Sequence, residues 1–163
     1  MSFGDEVGTV LVATDGSPSA HDATDFGIAL AGAHDAKLLF VHVVRTFDLL
    51  VDDIEEPGYA MPHEPNERDH AVLDEAIARA TEHGVRPTTS LRFGSAVDEI
   101  VSYAEACNVD LIVVGTRGHG RVATALLGSV SLGVLHRATR PVLIVRGAHA
   151  MVAPSRERSS HAV

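Results

Sequence analysis

The chain holds a single cysteine, Cys107, so no disulfide can close within it, which fits a reducing compartment. Tryptophan is absent and aromatic residues make up only 4%, which leaves Val, Leu, Ile and Ala to build the core. Lysine is nearly missing as well: Lys37 stands alone, and the other basic side chains are arginine. Basic residues number 13 against 22 acidic ones, a formal net charge of -9. That balance argues against nonspecific binding to nucleic acid or to anionic lipid. No apolar run approaches the ~18 residues that a membrane span needs. The first eight residues carry Asp5 and Glu6 without an apolar core, so they do not read as a signal peptide. The expectation is a cytoplasmic protein with no membrane and no nucleic-acid partner. The ten histidines are scattered, with no His-x₃-His pair on a helix beside an acid, so no zinc site is expected.

What is there is a globular composition. Hydrophobic residues make up 45% of 163, enough for one domain with its own core. Short apolar, β-branched runs alternate with helical periodicity along the whole chain. Residues 9–13 (TVLVA) read as a first strand, followed by Ser17 as helix N-cap and Pro18 as first helical residue. Residues 37–44 (KLLFVHVV) read as a second strand. Residues 45–67 are rich in Asp, Glu and Pro and read as a long loop with a helical turn near 49–54. A helix is expected over 69–83 with Gly84 just past its end, then a third strand over 85–93. Ser95 and Asp98 have the spacing of a capping box at the next helix start. Residues 110–115 form a fourth strand, 130–138 a last helix, and 141–146 a fifth strand. Residues 148–163 lack periodicity and are expected to be a disordered tail.

Continuously apolar strands alternating with helices imply a parallel sheet covered on both faces. In such sheets ligands bind beyond the carboxyl ends of the strands, near the point where strand order reverses. The residues to watch are therefore Asp15, residues 42–44, Gly94, and Gly115 onward. The last of these opens a glycine-spaced stretch: Gly115, Gly118, Gly120, then Gly128-Ser129-Val130-Ser131. Glycines let a phosphate approach the backbone, and a helix start offers unpaired N–H groups and a positive dipole end. Ser129 and Ser131 add hydroxyls. A Walker A loop is excluded, because Arg121-Val122 follows Gly120 where Lys and Ser or Thr are required. On these residues alone, phosphate binding and plain chain turning remain equally open.

The spacing itself resembles the universal stress protein family. Its ATP-binding members carry Gly-x-x-Gly, nine residues, then Gly-Ser or Gly-Thr, and here Gly115, Gly118, His119 to Leu127 and Gly128-Ser129 repeat that pattern. The strand ends Val12-Ala13-Thr14-Asp15-Gly16-Ser17, Phe40-Val41-His42-Val43 and Pro141-Val142-Leu143-Ile144-Val145 are also similar to the family's. The resemblance covers residues 9–146. It implies an α/β domain over 1–147 with an open five-stranded parallel sheet, order 3-2-1-4-5, and helices on both faces, an adenine nucleotide alpha hydrolase-like fold. It implies a bound ATP with Mg²⁺: Asp15 at the ribose or metal-phosphate end, Ala13 and Val43 lining the adenine pocket, Val114 and Gly115 flanking the nucleotide. Gly118, Gly128, Ser129 and Val130 would surround the phosphates. It implies a homodimer through the fifth strand and a signalling partner that the residues do not identify. One departure stands at Ala13, where some ATP-binding members have Pro.

Each candidate has a plainer alternative. Asp15 also suits an Asx turn that holds Gly16 and Ser17. His42 reads as a satisfied core histidine, Arg117, His119 and Arg121 as solvated loop residues, and Cys107 as a small apolar helix residue. The cluster Asp52, Asp53, Glu55 and Glu56 reads as a solvated loop. Fast phosphoryl transfer needs concentrated positive charge and a positioned nucleophile, and neither is evident. The expected function is therefore a nucleotide-dependent stress-response regulator with weak ATP hydrolysis at most. A slow ATPase or nucleotide-transferring enzyme, and a structural dimer without nucleotide, are the alternatives.

Overall fold

The computed structural model describes residues 7–45, 65–116 and 127–146. Strand and helix alternate: β1 (Thr9–Ala13), α1 (Pro18–His34), β2 (Lys37–Val44), α2 (Glu67–Glu82), β3 (Thr88–Phe93), α3 (Ala96–Ala106), β4 (Leu111–Gly115), α4 (Ser129–Arg137) and β5 (Val142–Val145). The five strands form one all-parallel sheet in the order β3-β2-β1-β4-β5. The sheet order therefore reverses between β1 and β4, as the strand–helix alternation and the family resemblance led one to expect.

The sheet is covered on both faces, and the period of two along each strand assigns residues to them. Val10, Val12, Leu38, Phe40 and Val113 join Ala23, Ile28 and Ala31 of α1 and Leu73, Ala76 and Ala80 of α2 in one core cluster. Leu11, Leu39, Val41, Ile112 and Val114 join Ile100 and Ala104 of α3 and Val134 of α4 in the other. Small helix residues let these layers close tightly. At Gly27 a Cβ would run into Val12 Cγ2, and at Gly133 it would lie 2.6 Å from Val97 Cγ2.

Several element ends fall where local chemistry puts them. Ser17 caps α1 by accepting from the Ala20 N–H at 3.2 Å, with Pro18 as first helical residue. α2 starts two residues earlier than the periodicity suggests, because Asn66 and Asp69 form a reciprocal capping box. Its end is a Schellman-type turn: Gly84 has φ +75, its N–H donates to Thr81 O, and Val85 N–H donates to Ala80 O. That turn consumes the first residues of the run 85–93, so β3 begins only at Thr88.

The capping box expected at Ser95 and Asp98 is not formed. Ser95 is the N-cap residue of α3, but its side chain makes no cap hydrogen bond. The Asp98 carboxylate instead pairs with Arg137 of α4, so a tertiary ion pair has taken the group the local motif required. Asp110, expected to open β4, stands just before it and accepts from the N–H groups of Gly8 and Thr9 at 3.0 and 2.8 Å. The loop over 45–67 with its turn at 49–54, the acidic cluster at 52–56 and the tail at 148–163 lie outside the described residues, apart from the loop's ends.

Candidate functional site

The site is built at the carboxyl ends of β1 and β4, the adjacent strands where the order reverses. After β1 the chain makes a tight turn through Thr14, Asp15 and Gly16. Gly16 adopts φ +72, a conformation that favours glycine. The Asp15 Oδ1 accepts from Ser17 N–H at 3.0 Å, and Thr14 Oγ1 accepts from Gly16 N–H at 3.3 Å. The Asx turn expected of Asp15 is thus present. It leaves Asp15 half-buried at the strand end.

Beside this turn, β4 ends in Gly115 and Thr116. Gly115 is demanded by packing, because a Cβ there would collide with the Ser19 backbone carbonyl of α1. Thr116 binds three elements together. Its N–H donates to Val145 O of β5 at 3.1 Å, its carbonyl accepts from Gly128 N–H at 2.6 Å, and its hydroxyl lies 3.3 Å from Ser19 Oγ. The glycine-spaced stretch therefore leaves and re-enters the fold at one point. Gly118 lies outside the described residues, as do Arg117, His119 and Arg121.

Gly128 is the N-cap of α4, with extended backbone and no side chain to cap the helix. The first intrahelical bond runs from Leu132 N–H to Gly128 O. The N–H groups of Ser129, Val130 and Ser131 precede it, and such first-turn donors have no partner within their own helix. Ser131 is buried, and its hydroxyl donates to Gly115 O at 2.6 Å. A carbonyl only accepts, so the single hydroxyl hydrogen of Ser131 is spent on fixing α4 to the end of β4. The expectation of two hydroxyl donors is narrowed to Ser129, while Ser131 keeps its backbone N–H.

The apolar candidates fall on one face. Ala13, Val43 and Val130 are partly buried, and all three pack against the cluster under α3 and α4. Val114 is buried in that same cluster, so only its backbone is placed to border a ligand. The structure thus brings Ala13, Asp15, Val43, Gly115, Gly128, Ser129, Val130 and Ser131 to one end of the sheet. Thr116 and Ser19 were not singled out from the sequence. Their contact joins positions 97 apart, and nothing local signals it. Lys37 opens β2 at the opposite, amino end of the sheet and is exposed. Among the described residues, no group of three or more His, Cys, Asp or Glu side chains could hold a metal ion, and no helix is long and apolar enough to cross a membrane.

The model of the universal stress protein family matches residues 6–146. The chain belongs to this family. Universal stress protein YxiE of Bacillus subtilis is 35% identical over 144 residues, covering 84% of this chain and 97% of its own. A universal stress protein of Mycobacterium tuberculosis is 38% identical over 149 residues, covering 84% and 94%. A solved universal stress protein in complex with cAMP superposes with a TM-score of 0.66 at 32% identity, covering 86% of this chain and 98% of that one. The five-stranded all-parallel sheet in this order, with its helices, is the adenine nucleotide alpha hydrolase-like fold of the family's solved members.

Proposed function

We propose that this universal stress protein belongs to the family's ATP-binding subgroup and acts as a nucleotide-dependent regulator in the stress response, with weak ATP hydrolysis at most. The observation that carries the reading is the convergence of the Asp15 turn and the start of α4 at the β1/β4 crevice. There the Gly128–Thr116 hydrogen bond closes the glycine-spaced stretch at its neck. In this reading the phosphates meet the Ser129, Val130 and Ser131 N–H groups and the Ser129 hydroxyl, where the helix dipole favours an anion. Gly118 approaches them from the stretch itself. Adenine lies against Ala13 and Val43, with the Val43 backbone reading its edge. Val114 and Gly115 border the nucleotide, and Asp15 meets ribose or the Mg²⁺ on the phosphates. The cAMP held by the similar solved protein supports an adenine nucleotide as ligand.

Slow chemistry is the reading that fits the charge layout among the described residues. The chain's one lysine stands at the far end of the sheet, and Arg92, near the site end of β3, is paired with Glu99 at 2.6 Å. Phosphoryl transfer without a clustered positive charge is slow. The regulator would then signal through a partner that reads nucleotide occupancy, in the cytoplasm, as a homodimer joined through 141–146.

Calorimetric titration of nucleotide-stripped protein with ATP and Mg²⁺ tests the reading, with cAMP as comparison ligand. Saturation near one ATP per chain is expected. Gly128→Val places a branched side chain at the mouth of α4 and is expected to abolish binding while the circular dichroism of the fold is kept. ATP affinity unchanged in that variant would sink the phosphate assignment. Asp15→Ala should weaken ATP binding by about tenfold, the scale of one hydrogen bond to a charged or metal-linked group. A fall in melting temperature with intact affinity would return Asp15 to a purely structural turn.

A further inference from the structure

His42 is a polar residue in an otherwise apolar strand, and it faces away from the adenine side. The even positions of β2, Leu38 and Phe40, point to the face under α1 and α2, and His42 continues that series. It is buried, with 10% of its side chain exposed, and Asp69 across from it has 13%. The ring has a polar neighbour at each nitrogen. Nδ1 lies 2.9 Å from the Thr14 carbonyl, and because a carbonyl only accepts, Nδ1 carries the hydrogen. Nε2 lies 3.6 Å from Asp69 Oδ1, an ion-pair separation rather than a hydrogen bond, and one that attracts when Nε2 also carries a hydrogen. Asp69 is itself fixed at the third position of α2, where its other oxygen accepts from Asn66 N–H at 3.0 Å.

Thr14 is the residue on which the Asp15 turn rests. Its N–H donates to Val41 O at 2.9 Å, ending the β1–β2 ladder, and its hydroxyl accepts from Gly16 N–H. α2 also comes near this turn at a second place: a Cβ added at Gly16 would stand 3.1 Å from Val72 Cγ2. The first turns of α2 therefore reach the Asp15 turn through His42, with Val72 close beside Gly16. The buried Nδ1–H is thereby committed to the carbonyl that directly precedes Asp15.

We propose that His42 is a positioning residue of the nucleotide site: held by Asp69 of α2, it fixes the Thr14 carbonyl and so the orientation in which Asp15 meets the ligand. This rests on the nucleotide reading given above. It adds that the seating of the α2 N-terminus and the occupancy of the site are linked, each favouring the other by the same factor.

The two ring nitrogens can be separated by substitution. Nδ1 is bonded to Cγ, as is the amide nitrogen of asparagine, so His42→Asn keeps a donor for Thr14 and gives up Asp69. Nε2 lies one bond further out, where glutamine carries its amide, so His42→Gln keeps Asp69 and gives up Thr14. In the full chain, titrated with ATP and Mg²⁺, His42→Asn should bind about threefold more weakly than the parent, for the lost Asp69 pairing, and His42→Gln about tenfold more weakly, the scale of one buried hydrogen bond. Asp69→Asn, which retains an oxygen for the α2 cap and leaves the Thr14 bond intact, should match His42→Asn. Amide hydrogen exchange at Gly16 and Ser17 in the nucleotide-free protein gives a second readout. Exchange should quicken in His42→Gln and stay slow in His42→Asn.

Equal affinities and equal exchange across the parent, asparagine and glutamine variants would overturn the proposal. So would losses in both variants that track their melting temperatures alone. If His42→Gln does not fold, Asp69→Asn decides: exchange and affinity both at the parent's level would break the relay from α2. If the parent itself binds neither ATP nor cAMP, the nucleotide reading fails, and unaltered exchange in the variants would separately remove His42 from any role in holding the turn.

Discussion

At the scale of single residues, the glycines divide by what surrounds them. Gly16 and Gly84 are set by positive φ, whereas Gly115 is set by the Ser19 carbonyl pressed against it. Backbone cannot step aside as a flexible side chain can, so Gly115→Ala should destabilise the fold by about 1–3 kcal/mol, the usual cost of overpacking. Denaturant unfolding would show it, and a change within 0.5 kcal/mol, the range of an indifferent surface substitution, would mean that α1 can shift away from β4. Tyr103 on α3 carries a different signature. Burial first, and a hydrogen bond with Cys107 second, raise its phenol pKa above the ordinary value. The folded chain then holds that proton more tightly than the unfolded chain. The associated stability is whole below the ordinary phenol pKa of about 10 and is lost as pH climbs through the raised value. Tyr103→Phe cannot ionise and should flatten the alkaline limb of a stability–pH curve; an unaltered limb would assign that loss to other groups.

At the scale of elements, some local signals act through partners within a few residues. Ser17 and Pro18 start α1, and Gly84 ends α2, through contacts spanning three to five positions. Asn66 shows the strength of such a signal, since its capping box with Asp69 moves the start of α2 ahead of the apolar periodicity. Asn66→Ala should cost about 1 kcal/mol, seen as faster exchange across the first turn of α2. No change there would mean that the helix start is held by packing alone. Ser95 and Asp98 show the opposite outcome. Their spacing is that of a cap, yet the Asp98 carboxylate is drawn to Arg137 on α4. A residue-spacing rule cannot register an opposite charge 39 positions away, and the alternative partner wins.

At the scale of the molecule, β5 forms one edge of the sheet, and its four residues are all only half-buried. α4 beside it exposes Leu132 and Leu135. An apolar strand edge with unpaired backbone groups invites pairing, so the dimer proposed through 141–146 should appear in light scattering as twice the 17.2 kDa chain mass. A species of single-chain mass at micromolar concentration would remove that part of the proposal.

The sequence by itself determined the parallel sheet, because continuous apolar strands can be buried only between two helical layers. With the glycine spacing it also singled out the carboxyl end of the sheet, where the nucleotide is proposed to bind. The tertiary structure alone decided the duties within that site. It committed the Ser131 hydroxyl to Gly115, tied Ser19 to Thr116, and set His42 between Asp69 and the Thr14 carbonyl. Each is a polar group with several partners within reach of its chemistry. Which partner it takes depends on distances between elements, and those distances exist only once the two hydrophobic layers have closed on the sheet.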